Sequence, residues 1–186
     1  MDKHSTALIV IDLQKGIALR TNLPHSSQKV ILNSSKLADE FRRNNMPVFL
    51  VRVTPSPDAK DRLSPLLDEP PTPTTPKPDW ADIVGELGPR PGDFVITKRQ
   101  WGAFYGTELD LQMRRRGIKT IVLTGISTNF GVESTARTAY ELGYNQIFVE
   151  DAMASFSEEA HDFPVKNIFP KIGIVRKTED VLKLLQ

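Results

Sequence analysis

Three positions in this sequence carry residue types from which a reactive site can be built. Asp12 follows the apolar run Thr6-Ala-Leu-Ile-Val-Ile11, and Lys98 and Arg99 follow Asp93-Phe-Val-Ile-Thr97. Gly131 lies in Thr124-Gly-Ile-Ser-Thr-Asn-Phe-Gly-Val-Glu-Ser-Thr-Ala-Arg137, directly behind the run Thr120-Ile-Val-Leu123. A carboxylate and an ammonium brought together make an acid–base pair. An apolar run that turns into a helix is a place where a nucleophile can rest against the backbone amides of the helix N-terminus. The residue at that turn is a glycine, and the chain has no cysteine. Thiolate chemistry is therefore excluded.

The elements that must position these residues are legible as an alternation. Strands are expected at 6–11, 47–53, 93–97, 119–123, 146–149 and 172–175, as short runs rich in Val, Ile and Phe without polar alternation. Helices are expected at about 28–44, where Val30, Leu37 and Phe41 share a face, and at about 131–142, ending at Gly143. Another is expected between Thr107, a capping residue, and Gly117, a stop signal, with Glu108 and Asp110 at its positive end and Arg114 to Arg116 at its negative end. Two more are expected near 157–168 and at 178–185. Strands without alternation, separated by helices, predict an α/β fold: a three-layer α/β/α sandwich around a parallel, six-stranded sheet. Ligands of such sheets bind beyond the carboxyl ends of the strands, so Asp12, Lys98 and Gly131 are expected to converge there.

Residues 54–92 break the alternation. They hold ten of the fourteen prolines, among them Pro70, Pro71, Pro73, Pro76 and Pro78, and so read as a loop insertion in a single domain spanning 1–186. The near-zero formal charge of +1 offers no field for nucleic acid. No apolar stretch approaches the ~20 residues of a membrane span, and the start of the chain lacks the pattern of a signal peptide. A cytoplasmic protein is expected. His4, His25 and His161 are scattered without metal-ligand spacing, so no metal, no cofactor and surface positions for all three are expected.

Each reactive position also has a plainer reading. Asp12 can be a turn former, Lys98 and Arg99 solvated charges, and Gly131 a close-packing residue. Their joint placement favours a site. Gln14, Trp101, Phe104 and Tyr105 are candidates for its wall, where aromatic rings can sandwich a flat ligand; the alternative is ordinary core or interface packing.

Together, Ile9-Val-Ile-Asp-Leu-Gln14, Ile96-Thr-Lys-Arg99 and the 124–137 segment resemble the isochorismatase-like hydrolases, a superfamily that includes nicotinamidases and N-carbamoylsarcosine amidases. The resemblance covers essentially the whole chain, and Gln100-Trp-Gly-Ala-Phe-Tyr-Gly-Thr107 brings it nearest the YecD-type members. It implies that Asp12 and Lys98 are catalytic and that Gly131 stands where the amidases have their cysteine. It also implies a cis peptide before Ser127, with Ile126, Ser127 and Asn129 on the substrate. Ser127, Thr128 and Ser134 fall outside the nucleophile position and read as capping or packing groups.

The isochorismatase branch of the superfamily keeps the Asp and Lys, lacks the cysteine, and hydrolyses a vinyl ether. On that likeness the chain is expected to be a hydrolase acting on a vinyl-ether or related bond of a small carboxylated molecule. Asp12 would be the acid–base residue, Lys98 its charge partner and Gly131 an open floor. Lys98 favours an ionised Asp12, whereas burial and an anionic substrate favour a protonated one. Two other readings stand beside this one: a thiol-independent amidase, and a non-catalytic binding or scaffold protein. Relatives of this kind are usually homo-oligomers, and that is expected here, with no nucleic-acid or membrane partner.

Overall fold

The computed structural model describes residues 1–70 and 75–186. In chain order it contains β1 (Thr6–Ile11), α1 (Lys15–Ala18), α2 (Ser27–Arg43), β2 (Val48–Val53), β3 (Phe94–Lys98), α3 (Leu109–Arg115) and β4 (Thr120–Ile126). A π-helical turn (Thr128–Val132) then leads into α4 (Glu133–Glu141) and β5 (Asn145–Ala154). After these come α5 (Glu158–Phe163), a second π-helical turn (Pro164–Ile168), α6 (Phe169–Ile172), β6 (Ile174–Arg176) and α7 (Thr178–Leu185).

The strands form one six-stranded sheet in the order β3-β2-β1-β4-β5-β6, and every neighbouring pair is parallel. Side chains alternate between its two faces, and both faces are buried. Leu8 and Val10 of β1 face a core shared with Val30, Leu37 and Phe41 of α2 and Val181 and Leu185 of α7. Ile9 and Ile11 face the opposite core, with Leu109 and Met113 of α3, Ala136 and Ala139 of α4 and Phe169 of α6. This two-sided burial is why the strands read as unbroken apolar runs. Helix α2 begins where the Ser26 hydroxyl accepts from the Lys29 amide, and its apolar residues at three- and four-residue spacing make the face laid on the sheet.

The chain runs outward from β1 to β2 and β3, then returns to place β4 on the other side of β1. The gap between β1 and β4 is thus the point where the strand order reverses. Ile11 is in register with both Val51 and Gly125, and Val53 with Lys98, so the carboxyl ends of the four strands form one edge.

Several boundaries differ from those expected. β4 runs on through Thr124, Gly125 and Ile126, because Gly125, at φ +124°, lets the chain pass close behind Ile11. β5 continues past the polar Glu150 and Asp151 to pair Met153 and Ala154 with Gly125 and Ile126. The helix expected near 157–168 is divided, since Pro164 lacks the N–H that a continuous α-helix needs. β6 begins at Ile174, Ile172 having ended α6.

The described residues between Val53 and Phe94 contain no helix or named strand. Pro71 and Pro73 lie outside the described residues. The last part of this loop is pinned antiparallel to the segment after β1: Gln14 bridges Ile83, the Val84 amide donates to the Leu13 carbonyl (3.0 Å), and the Gly16 amide donates to the Trp80 carbonyl (2.9 Å). Among the described residues, no helix is long and apolar enough to cross a membrane.

Candidate active site

Asp12 is the first residue beyond β1. It adopts φ 52°, a left-handed conformation that costs a non-glycine residue about 1 kcal/mol and that Asp tolerates better than most. Its amide still donates to the Val51 carbonyl at 2.9 Å, which ties it to the end of β2. Lys98 ends β3. Its Nζ reaches across β2 to donate to Oδ2 of Asp12 at 2.7 Å and to the Gln100 carbonyl at 3.0 Å. Both side chains are withdrawn from solvent, with Asp12 4% and Lys98 1% exposed. Oδ1 of Asp12 is buried and has no hydrogen-bond partner among the described residues.

Burial and the ammonium act in opposite directions on this carboxyl. Desolvation raises its pKa, and the charge and hydrogen bond of Lys98 lower it; burial wins, and the pKa is pushed up to about 6. Asp12 is therefore partly protonated near neutral pH with its ammonium partner in place.

Gly131 faces this pair from the π-helical turn after β4. A Cβ built on it would lie 3.0 Å from Oδ2 of Asp12, 3.0 Å from Cγ2 of Ile11 and 3.5 Å from the Trp101 carbonyl. The turn follows a cis peptide bond between Ile126 and Ser127. The Ser127 carbonyl accepts from the amides of Phe130 and Val132, each at 3.2 Å. From the helix side, the Thr135 hydroxyl donates to the Gly131 carbonyl at 2.7 Å and accepts from the Ala103 amide at 3.1 Å.

The remaining expected site residues are distributed as follows. Gln14 is fully buried and its amide is engaged: Oε1 accepts from the Val53 amide (2.8 Å), and Nε2 donates to the carbonyls of Val53 (3.0 Å) and Trp80 (3.3 Å). It clamps the end of β2 and the pinned loop beside Asp12. Trp101 is 61% exposed and packs its ring on Phe130, with centroids 4.7 Å apart. Phe104 is buried in the core under α3, stacked on Tyr144, whereas Tyr105 is exposed. Ile126 and Ser127 are buried at the turn, and Asn129 Oδ1 accepts from the Ser155 hydroxyl at 2.6 Å. Arg99 does not join Asp12; its Nε donates to Asp61 in the loop.

One expectation is corrected. His4 is exposed and His25 half-buried, but His161 is only 2% exposed, with Nδ1 2.8 Å from the Thr128 hydroxyl and its ring edge-on to His25. Among the described residues, no three His, Asp or Glu side chains gather as a metal site would require. Sequence reasoning also passed over Phe130, Phe156 and Ser155. Phe130 packs between Trp101 and Phe156 at the rim, with the Phe156 centroid 6.2 Å away. One signal could have found His161: Val165 and Phe169 follow it at four-residue steps, a buried helical stripe.

A profile of the isochorismatase domain matches residues 6–180. The chain belongs to the isochorismatase family. It is 52% identical over 185 residues to the isochorismatase family protein YwoC of Bacillus subtilis (strain 168), covering 98% of this chain and 95% of that protein. It is 48% identical over 185 residues to YecD of Escherichia coli O157:H7, covering all of this chain and 98% of that one. Among solved structures, an isochorismatase family protein from Burkholderia thailandensis superposes with a TM-score of 0.94 at 46% identity, covering 97% of this chain and 95% of the other. This chain brings Asp12 and Lys98 into contact and has no cysteine.

Proposed function

We propose that the protein hydrolyses a vinyl-ether bond of a small carboxylated molecule, with Asp12 as the acid–base group. The observation that carries this reading is the state of Asp12. It is a buried carboxyl with a pKa pushed up to about 6, one oxygen held by Lys98 and the other without a partner among the described residues. A general acid works best when its pKa lies near the working pH, and such a group contributes ~10²–10⁴-fold.

Protonated Asp12 gives its proton to the terminal methylene carbon of the enol ether. The C=C electron pair forms the new C–H bond, and the ether oxygen stabilises the resulting oxocarbenium carbon. Water adds to that carbon and loses a proton to the Asp12 carboxylate. The hemiketal then collapses: Asp12 gives the proton it has taken up to the ether oxygen, the C–O bond breaks to release an alcohol, and the hydroxyl proton returns to Asp12 as the keto acid forms. Lys98 stabilises the carboxylate during the interval in which it is ionised. No covalent intermediate is needed, which fits a glycine at 131. Trp101 at the rim and the Ile126–Asn129 turn are proposed to hold the substrate, with Gln14 fixing the floor beside Asp12. A homo-oligomer belongs to the same proposal and is supported by the exposed side chains of Leu66 and Leu67.

The test is pyruvate release from isochorismate, compared between the wild type and Asp12→Ala. Release by the wild type that disappears in the variant supports the reading. Absence of release by a folded wild type refutes isochorismate as substrate, and release that survives Asp12→Ala refutes the role of Asp12.

A further inference from the structure

The turn that carries Gly131 is fastened from outside the catalytic pair. Three consecutive residues of it, Thr128, Asn129 and Phe130, each find a partner in the stretch that leads from the end of β5 into α5. The Thr128 hydroxyl lies 2.8 Å from Nδ1 of His161, the Ser155 hydroxyl donates to Asn129 Oδ1 at 2.6 Å, and the Phe130 ring meets Phe156 with centroids 6.2 Å apart. Ser155 is itself locked by paired backbone hydrogen bonds with Leu23, both 2.8 Å. Thr128, Ser155 and His161 are at most 2% exposed, so water does not compete for the contact between Thr128 and His161. The turn also departs from α-helical hydrogen bonding over Thr128–Val132, which local sequence does not favour and which its neighbours must hold in place.

We propose that His161 is a positioning residue: through Thr128 it holds the turn in the one arrangement that sets Gly131 against Asp12. His161 touches none of the reacting atoms. It acts on the backbone geometry of residues 127–131, and a buried imidazole that binds a hydroxyl through Nδ1 is suited to that task because it is rigid and anchored in α5. Its consequence for turnover rests on the hydrolase reading above, whereas its consequence for the turn does not.

The experiment pairs variants that remove the bond, Thr128→Val and His161→Leu, with variants that retain it, Thr128→Ser and His161→Asn. An asparagine amide can occupy the place of Nδ1. Two readouts are taken: kcat and KM for pyruvate release, and hydrogen exchange of the peptide spanning 124–134 beside peptides from β1 and β2. In Thr128→Val and His161→Leu we expect kcat to fall ~10–100-fold with KM within ~3-fold, the size expected for a misplacement of about 1 Å. Exchange should accelerate only in 124–134. The Ser and Asn variants should recover both, and the double variant Thr128→Val with His161→Leu should be no worse than either single one. Unchanged exchange in 124–134 overturns the proposal, as does acceleration spread evenly over the sheet, or accelerated exchange with unchanged kcat. If the wild type releases no pyruvate, the hydrolase reading fails, and the exchange data alone decide whether His161 positions the turn. Should His161→Leu not fold, Thr128→Val, which keeps the side-chain shape, carries the comparison.

Discussion

Substituting His161 by asparagine should change how stability depends on pH, and the size of the change follows from burial. His161 is 2% exposed. Desolvation, followed by the charge of His25, holds its pKa down from 6.5 to about 4; Asp162 acts in the opposite sense and Lys166 in the same one. Between pH 4 and 6.5 the unfolded chain binds a proton at this residue that the folded chain does not. Stability therefore falls as pH drops through that window, by ~3 kcal/mol at ~1.4 kcal/mol per pH unit. Asp12 works in reverse. Its pKa is raised from 3.8 to about 6, so the folded chain holds a proton that the unfolded chain releases, and stability falls by ~3 kcal/mol as pH rises across that range. In the wild type the two nearly cancel between pH 4 and 6. His161→Asn keeps a polar atom beside Thr128 and removes the titration. Urea unfolding in half-unit steps from pH 4 to 7, with m-values compared, reads the outcome. The variant should gain ~3 kcal/mol relative to the wild type as pH falls from 6.5 to 4, uncovering the slope of Asp12. Asp61, held down to about 2, titrates below this window, and His25, present in both proteins, enters the difference through its coupling to His161. A difference curve flat to ~0.5 kcal/mol would refute the burial of a neutral imidazole.

Three further outcomes are expected. Lys98→Met leaves the Asp12 carboxylate buried without its partner; urea unfolding at pH 8 should show a loss of ~3–5 kcal/mol, and the pKa of Asp12 should climb above about 6. Under the proposed mechanism, kcat/KM for pyruvate release should decline as pH rises through about 6, as Asp12 loses its proton, and in Lys98→Met the decline should move to higher pH; a profile indifferent to Lys98 would sink the assignment. Gly131→Cys places a Cβ 3.0 Å from both Asp12 Oδ2 and Ile11 Cγ2, tight enough to cost ~1–3 kcal/mol by overpacking. Its pyruvate release should fall at least ~10-fold, measured beside any gained hydrolysis of a simple amide.

The sheet was legible because burial on both faces leaves a plain trace: apolar runs such as 7–11 and 48–51 cannot alternate when helices cover both sides. The meeting of Asp12 and Lys98 was legible from their place at strand ends, and the geometry adds the 2.7 Å contact and the balance of burial against charge. What escaped depends on contacts remote in sequence. Glu150 and Asp151 look like the end of a strand, yet β5 continues to Ala154 because Met153 and Ala154 complete a ladder with Gly125 and Ile126. The π-helical turn is invisible in a segment that simply reads as a helix start, and the side chains it meets, Ser155 and His161, are remote in sequence. His161 reads as a surface residue beside Glu158, Glu159 and Asp162 until it is counted in step with Val165 and Phe169.

Two glycines at this site do different work, and the contrast bears on why a nucleophile is missing. Gly125 is compelled by geometry: at φ +124° its Cβ would fall 2.1 Å from the Ile11 carbonyl, a position no side chain can occupy. Only glycine lets β4 pass close enough to β1 for the turn after it to reach Asp12. Gly131 is under no such compulsion. Its φ is not positive, and a Cβ there would meet Asp12 and Ile11 at 3.0 Å, a crowding that a few tenths of an ångström of movement relieves. The backbone at 131 would therefore accept a cysteine at modest cost. What the glycine leaves is bare backbone, with no side chain wedged against a buried carboxyl that is kept partly protonated beside an ammonium. A thiolate at that point would add a second negative charge next to Asp12 and favour its proton staying in place, whereas under the proposed mechanism, in which Asp12 gives its proton to carbon, the charged group beside it is the Lys98 ammonium at 2.7 Å.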